Sequence, residues 1–267
     1  MTVAAPIDRG PNLQERRPTP FVRELAMHAP IASLAADLAL GLPGHRSRNA
    51  HVLFEVPAAG GIPDVLRIAF DPAQLRRRDQ LGLAPVTDLT ELRVLIAVAT
   101  GPQTLSVVAQ AARVTAAHLR RAVLPALAEL GWLAPLTGRG ERTVVNPAVK
   151  YRELARSVVT VEAKRRDWAG AITQARRHQS CADRAYIAID AATPGPLLRF
   201  AAELSHSGIG LVTVNADTMA AQVVARPTIG LARPDEHALI AERAWSLVLS
   251  GRTCWETFDV FGRDLTA

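Results

Sequence analysis

From Phe21 to Leu40 the apolar residues recur at three- and four-residue intervals, which predicts an amphipathic helix that stops at Gly41, Pro43 and Gly44. The runs HVLFEV and DVLRIAF predict two short strands separated by the turn-rich PAAGGIP. Beyond Tyr151 strand and helix patterns alternate. SVVTVEAK, RAYIAID and IGLVTVN predict strands, DWAGAITQARRHQ and PGPLLRFAAELSHSG the helices between them, AQVVARPTI an edge strand and PDEHALIAERAWSLVLS a closing helix. That order is α/β, and it predicts one central sheet shared by the late strands and the two early ones.

Between these halves, from Asp79 to Pro147, the pattern is helical: LTELRVLIAVA, TLSVVAQAA and TAAHLRRAVLPALAELGWL, followed by the basic, glycine-turned TGRGERTVV. Thr104 and Thr115 stand where helix N-caps are needed. Pro125 inside the third helix predicts a kink. The tight join in VVAQAARVTAAHLRRAVLPAL and the hairpin after it resemble a winged helix-turn-helix. That resemblance implies DNA binding, with the second helix of the pair in the major groove and the wing against flanking backbone. The residues it assigns to DNA are His118, Arg120 and Arg121 on the helix and Arg139 and Arg142 on the wing. Arginine suits the work because its planar fork grips a phosphate or a guanine edge at two points.

Composition narrows the classes. The 267 residues are 49% hydrophobic, enough for a large core. The net charge of +6 and a pI near 10.3 favour an anionic partner such as nucleic acid. Residues 1–19, rich in proline and charge, read as a loose arm. Cys181 and Cys254 are too few for a disulfide framework or a cysteine-built zinc site, and they fit a reducing, cytoplasmic setting. MTVAAPIDRG lacks the pattern of a secretory signal, and IASLAADLALGLPG is broken by Asp37 and too short to span a bilayer, so no membrane partner is expected. Isolated His178 and His206 read as core or surface residues. Phosphate-binding glycine loops, serine nucleophile elbows and zinc-protease motifs are absent from the sequence.

One letter is out of character. Among 31 Lys and Arg residues, only Lys150 and Lys164 are lysines. Lys164 follows Glu162 by two positions on a predicted strand, so both project from one face while Val161 and Ala163 take the other. Asp64 opens its strand after a glycine-rich turn, and pairing of the two strands brings the three groups together at a strand end. The plain alternative is an ion pair between Glu162 and Lys164. Two carboxylates so placed offer the oxygen donors that Mg2+ or Mn2+ takes. A lysine can also orient a water or take its proton, because its pKa responds to surroundings in a way that arginine's does not.

GIPDVL, VEAK and the helix containing QARRHQ resemble the PD-(D/E)XK nuclease superfamily, over residues 20–72 and 150–218. The resemblance implies a restriction-endonuclease-like mixed sheet flanked by helices at 20–78 and 150–267, with the winged helix at 79–149 inserted. It further implies Asp64 and Glu162 as metal ligands, Lys164 handling the attacking water and Gln174 orienting it. Glu24 on the first helix and Glu55 on the first strand become candidate helper acids. The expected function is divalent-metal-dependent cleavage of DNA. The alternative is a winged-helix regulator whose nuclease-like part serves as scaffold, dimerisation surface or sensor; a homodimer is compatible with either.

Overall fold

The period-2 runs become one six-stranded mixed sheet in a computed structural model that describes residues 18–138 and 142–255. Its strands are β1 (Ala50–Phe54), β2 (Val65–Phe70), β6 (Ala155–Lys164), β7 (Arg184–Asp190), β8 (Ile209–Asn215) and β9 (Ala220–Ala225), adjacent in that order. β1, β2 and β6 pair antiparallel, β6, β7 and β8 parallel, and β9 returns antiparallel at the edge. Every residue of β2 and β7 is buried, which accounts for their mostly apolar lettering, with Arg67 the charged exception inside β2 and Arg184 and Asp190 at the ends of β7. On one face lies α1 (His28–Leu38), whose Ile31 and Leu38 pack with Val65, Val159, Val161 and Ala163. The opposite face is covered by α7 (Trp168–His178), α8 (Ala201–His206) and α9 (Pro234–Leu249). No helix among the described residues is long and apolar enough to cross a membrane.

α1 starts later than the periodicity predicts. Phe21 donates its N–H to the buried Asp190 carboxylate (2.8 Å), and Arg165 Nη1 donates to the Val22 carbonyl (2.7 Å). These bonds hold residues 19–23 as a strap across the ends of β7 and β8, and a 3-10 turn (Glu24–Met27) leads into the helix. Of the arm expected at residues 1–19, all but the last two residues lie outside the described ones.

The chain leaves the sheet after β2 and returns at β6, and the two ends of the excursion meet: Asp71 N–H donates to the Leu154 carbonyl at 2.7 Å. An unexpected helix begins it, α2 (Pro72–Gln80), whose signal was the Asp-Pro pair: Asp71 caps Ala73 N–H (2.8 Å) and Pro72 occupies the first turn. Next come α3 (Leu89–Ala97), β3 (Gln103–Thr104), α4 (Leu105–Ala112) and α5 (Ala116–His118), which runs through a π-helical turn (Leu119–Val123) into α6 (Leu124–Glu129). β4 (Leu133–Thr137) and β5 (Val144–Pro147) complete a three-stranded sheet in the order β3-β5-β4. Thr115 caps as expected, donated to by His118 N–H at 3.2 Å; Thr104 makes no capping bond and instead lies 3.1 Å from the Ser106 hydroxyl. The π-helical turn accounts for Pro125. Proline has no N–H for the carbonyl four residues back, and the preceding turn widens so that Leu124 N–H reaches Leu119.

This block is joined to the sheet through α9. Ala238 and Leu239 sit in the same apolar cluster as Leu92, Leu95, Leu127 and Trp132, the last a core residue as its position suggests. Glu242 of α9 is fully buried and receives Arg78 Nη2 at 2.5 Å and Val86 N–H at 3.0 Å, while the Arg78 guanidinium lies over the Trp132 ring, 4.2 Å from its centroid. Arg93 binds Asp235 at 2.8 Å, and Arg243 reaches the Thr87 and Pro57 carbonyls. A buried pair stripped of one partner leaves an uncompensated charge. Glu242→Ala is therefore expected to lower stability by about 3–5 kcal/mol in denaturant unfolding, whereas loss of a surface pair would move it by under about 1 kcal/mol.

Candidate functional site

The β2–β6 register builds the site. Val65 lies opposite Val161, so one residue earlier Asp64 comes level with Glu162. Asp64 Oδ2 accepts the Ala163 N–H at 2.6 Å, a side-chain bond that continues the ladder past the end of β2. The glycine-rich turn before Asp64 packs against the end of α7. A Cβ on Gly60 would stand 2.8 Å from the Arg177 carbonyl oxygen, so only glycine allows this approach.

Glu162 and Lys164 project together from β6 on the face covered by α7, and Lys164 Nζ donates to Glu162 Oε1 at 2.7 Å. Glu162 is 1% exposed, and its other oxygen, Oε2, is buried without a hydrogen-bond partner. Glu24, at the end of the strap, completes the group: its Oε2 is 3.6 Å from Lys164 Nζ and its Oε1 accepts the Arg165 N–H at 3.1 Å. The electrostatics follow. Burial, and next the facing Asp64 charge, push Glu162 up to about 7 against the opposing effect of Lys164. Burial also raises Asp64, although the Ala163 N–H and the Lys164 charge oppose it. For Lys164 burial pulls downward, but the bond to Glu162 and the charges of Glu162, Asp64 and Glu24 prevail and hold it above its ordinary value.

Asp64, Glu162, Lys164 and Glu24 thus converge, and the other expected site residues fall elsewhere. Glu55 lies beside Asp64 along the backbone, donating its N–H to the Asp64 carbonyl (3.3 Å), but its carboxylate turns to the Cys254 thiol. Gln174 is half-buried on α7 and has no hydrogen bond to the cluster. Two histidines belong to the surroundings. His28 Nε2 is 3.9 Å from Asp64 Oδ1, its ring stacked on Phe54; its signal was the four-residue spacing from Glu24, one helical turn. His178 is a core residue with an unpartnered Nδ1, lowered to about 4 by burial and by the charges of Lys164 and Arg177. His206 is exposed, and Cys181, raised to about 12 by burial, is an inert thiol. In the second block His118, Arg120, Arg121 and Arg142 are exposed, Arg120 also bonding the Thr143 hydroxyl at 3.0 Å; Arg139 lies outside the described residues.

No group of three or more His, Cys, Asp and Glu side chains among the described residues forms a ready metal site. The cluster instead presents two carboxylates level across a strand pair, a third from the strap, and one ammonium between Glu162 and Glu24. Comparison with protein-family models, curated proteins and solved structures finds no match.

The shifted carboxyl makes a pH prediction. Glu162 titrates near 7 when folded and near 4.5 as a free side chain, so the folded state holds the extra proton between those values. Stability from this group is full below about pH 4.5 and is lost as pH rises through about 7. Denaturant unfolding of wild type and Glu162→Gln across this range is expected to give a shallower fall for the variant; parallel profiles would assign the proton to another group.

Proposed function

We propose that the chain is a DNA-binding phosphodiesterase of the PD-(D/E)XK kind, with the block between β2 and β6 acting as a winged helix that holds the duplex. The observation that carries the reading is the meeting of Asp64 with Glu162 and Lys164 across the β2–β6 pair, from positions separated by the whole inserted block. The element order of that block and its exposed His118, Arg121 and Arg142 support the second half of it.

The donor set fits magnesium or manganese. Glu162 Oε2 is a buried carboxylate oxygen without a hydrogen-bond partner, and Asp64 faces Glu162 with a second carboxylate, so the one Lys164 ammonium only partly offsets the charge of the pair. Asp64 and Glu162 would hold the ion, which when bound polarises the phosphodiester and offsets charge on its oxygens. The chain's own groups then divide the work. Lys164 stays protonated and so acts as an N–H donor that positions water or phosphate rather than as a base. Glu162, as a ligand of the ion, stays a carboxylate; the attacking water passes its proton to solvent as the water oxygen bonds to phosphorus, and the departing oxygen takes a proton from solvent and leaves as a hydroxyl. Glu24, on the exposed side of the cluster, holds Lys164 from the strap.

Manganese titration by calorimetry is expected to give saturable binding in wild type and none in Asp64→Ala. With a cleavable duplex, Lys164→Ala is expected to lower the rate by about 10²-fold or more; an unchanged rate would sink the assignment. Arg121→Ala is expected to weaken duplex binding and to reduce the slope of log affinity against log salt by about 1. Duplex binding with no manganese binding in either protein would favour a winged-helix regulator with a non-catalytic sheet domain.

A further inference from the structure

A second concavity lies between α1 and the outer part of the β1–β2 hairpin, with a volume of about 360 Å³. It opens on the α1 face of the sheet, whereas Glu162 and Lys164 stand on the α7 face. Arg67 of β2 contributes to its lining and is 3% exposed. Arg67 Nη2 donates to the Gly44 carbonyl (3.2 Å) and the His45 carbonyl (2.6 Å), but Nη1 is buried and has no hydrogen-bond partner. Among the described residues no aspartate or glutamate lines the cavity; Arg46, His45, His51, Ser33 and Ser47 do. Ser47 Oγ accepts the Asn49 N–H at 3.1 Å, a bond that does not use its own O–H.

A guanidinium on the interior strand of a sheet is expensive, and two loop carbonyls, being neutral, do not supply a counter-charge. The cavity beside it carries a second arginine, which is exposed, and the Ser47 hydroxyl, both partners of an oxyanion, while the Ser33 hydroxyl is committed to the Ala29 carbonyl and the His51 ring to Phe70. We propose that this cavity binds a small oxyanion, namely the phosphate group of a freely diffusing molecule, with Arg67 and Arg46 as its cationic contacts and Ser47 as a hydroxyl donor. Depth argues for a small ligand over a duplex: a backbone phosphate is tied to neighbours on its strand, and the 3% exposed Arg67 is recessed from them. The inference rests on the cavity alone and is independent of whether the strand-end site cleaves DNA.

The test is calorimetric titration of the full chain with inorganic phosphate at constant ionic strength, chloride being the control, together with the unfolding temperature under the same conditions. Expected are saturable one-site binding and a rise in unfolding temperature, both retained in Glu162→Gln. Arg46→Ala is expected to weaken binding about tenfold, the loss of one charge-assisted contact, and Arg67→Met to abolish it. Should Arg67→Met fail to fold, the surface variant Arg46→Ala combined with Ser47→Ala carries the test and is expected to lose saturable binding. Absence of saturable binding by wild type, or binding indifferent to Arg46→Ala with Ser47→Ala, overturns the proposal. So does phosphate displacing duplex DNA in step with its own binding, because the cavity would then be part of the DNA path.

Discussion

The antiparallel pairing of β2 with β6 is the constraint on which the site depends. Asp64 and Glu162 belong to strands separated by the entire inserted block, and only their register makes them level. Side chains alternate faces along a strand, so a slip of one residue would turn Glu162 and Lys164 towards α1 and send Val161 and Ala163 into the polar cluster. Buried apolar contacts on both faces prevent this: Val159, Val161 and Ala163 fill the α1 side, and Val158 packs with Leu66 and Ile68 on the other. The Asp64 to Ala163 bond then extends the register by one rung with a carboxylate in place of a carbonyl. A hydrophobic pattern thereby decides the position of three charges.

That register also requires the excursion between the strands to begin and end at one place. The Asp71 to Leu154 bond closes its neck, and the 3.6 Å approach of Arg156 to Asp71 lies beside it. The block does not hang from the neck alone. α9 serves two cores at once, giving Ala238 and Leu239 to the inserted block and Ile240, Ala241, Ala244 and Leu247 to the sheet. Glu242 lies between them with its charge answered by Arg78 and by a backbone N–H, which fixes the angle of the joint in a way that apolar contact, being non-directional, does not. His237, five residues earlier on α9, adds a second polar tie: burial would lower its pKa, but Asp183 and Glu153 prevail and raise it to about 9. This tie is at full strength below about pH 6.5 and is lost as pH rises through about 9.

Much of the architecture was legible because it is written in periodicity. Strands β6, β7 and β8 and the helices between them follow from alternation, and the convergence of Asp64, Glu162 and Lys164 follows from spacing plus one assumed pairing. The parts that were not legible depend on contacts between distant residues. The strap at 19–23 is non-helical although the apolar pattern predicts a helix from Phe21, because Asp190, Asp217 and Arg165 hold its backbone groups, and none of these is near it in sequence. The same holds for the choice between Glu24 and Glu55. Both are one residue type at plausible positions, and only the strap brings the first to Lys164 while a positive φ of 53° at Glu55 swings the second away. The domain boundary at 78 and 79 cuts through α2, and the apolar cluster shared through α9 is invisible to a reading that divides the chain by pattern.

The lysine at position 164 has a physical reading. Position 164 is crowded, with its side chain 16% exposed, and it must satisfy Glu162 at 2.7 Å while remaining within reach of Glu24. An ammonium is a compact point charge whose three donors radiate, so it can serve two carboxylates from different elements at once. A guanidinium presents its donors in a plane and favours a bidentate grip on one carboxylate, the arrangement that Arg78 makes with Glu242. At the joint, rigid recognition of a single partner is what the structure requires, and arginine is present. At the strand end the cation has to be shared between a buried acid and an exposed one, and lysine is the side chain whose geometry permits it.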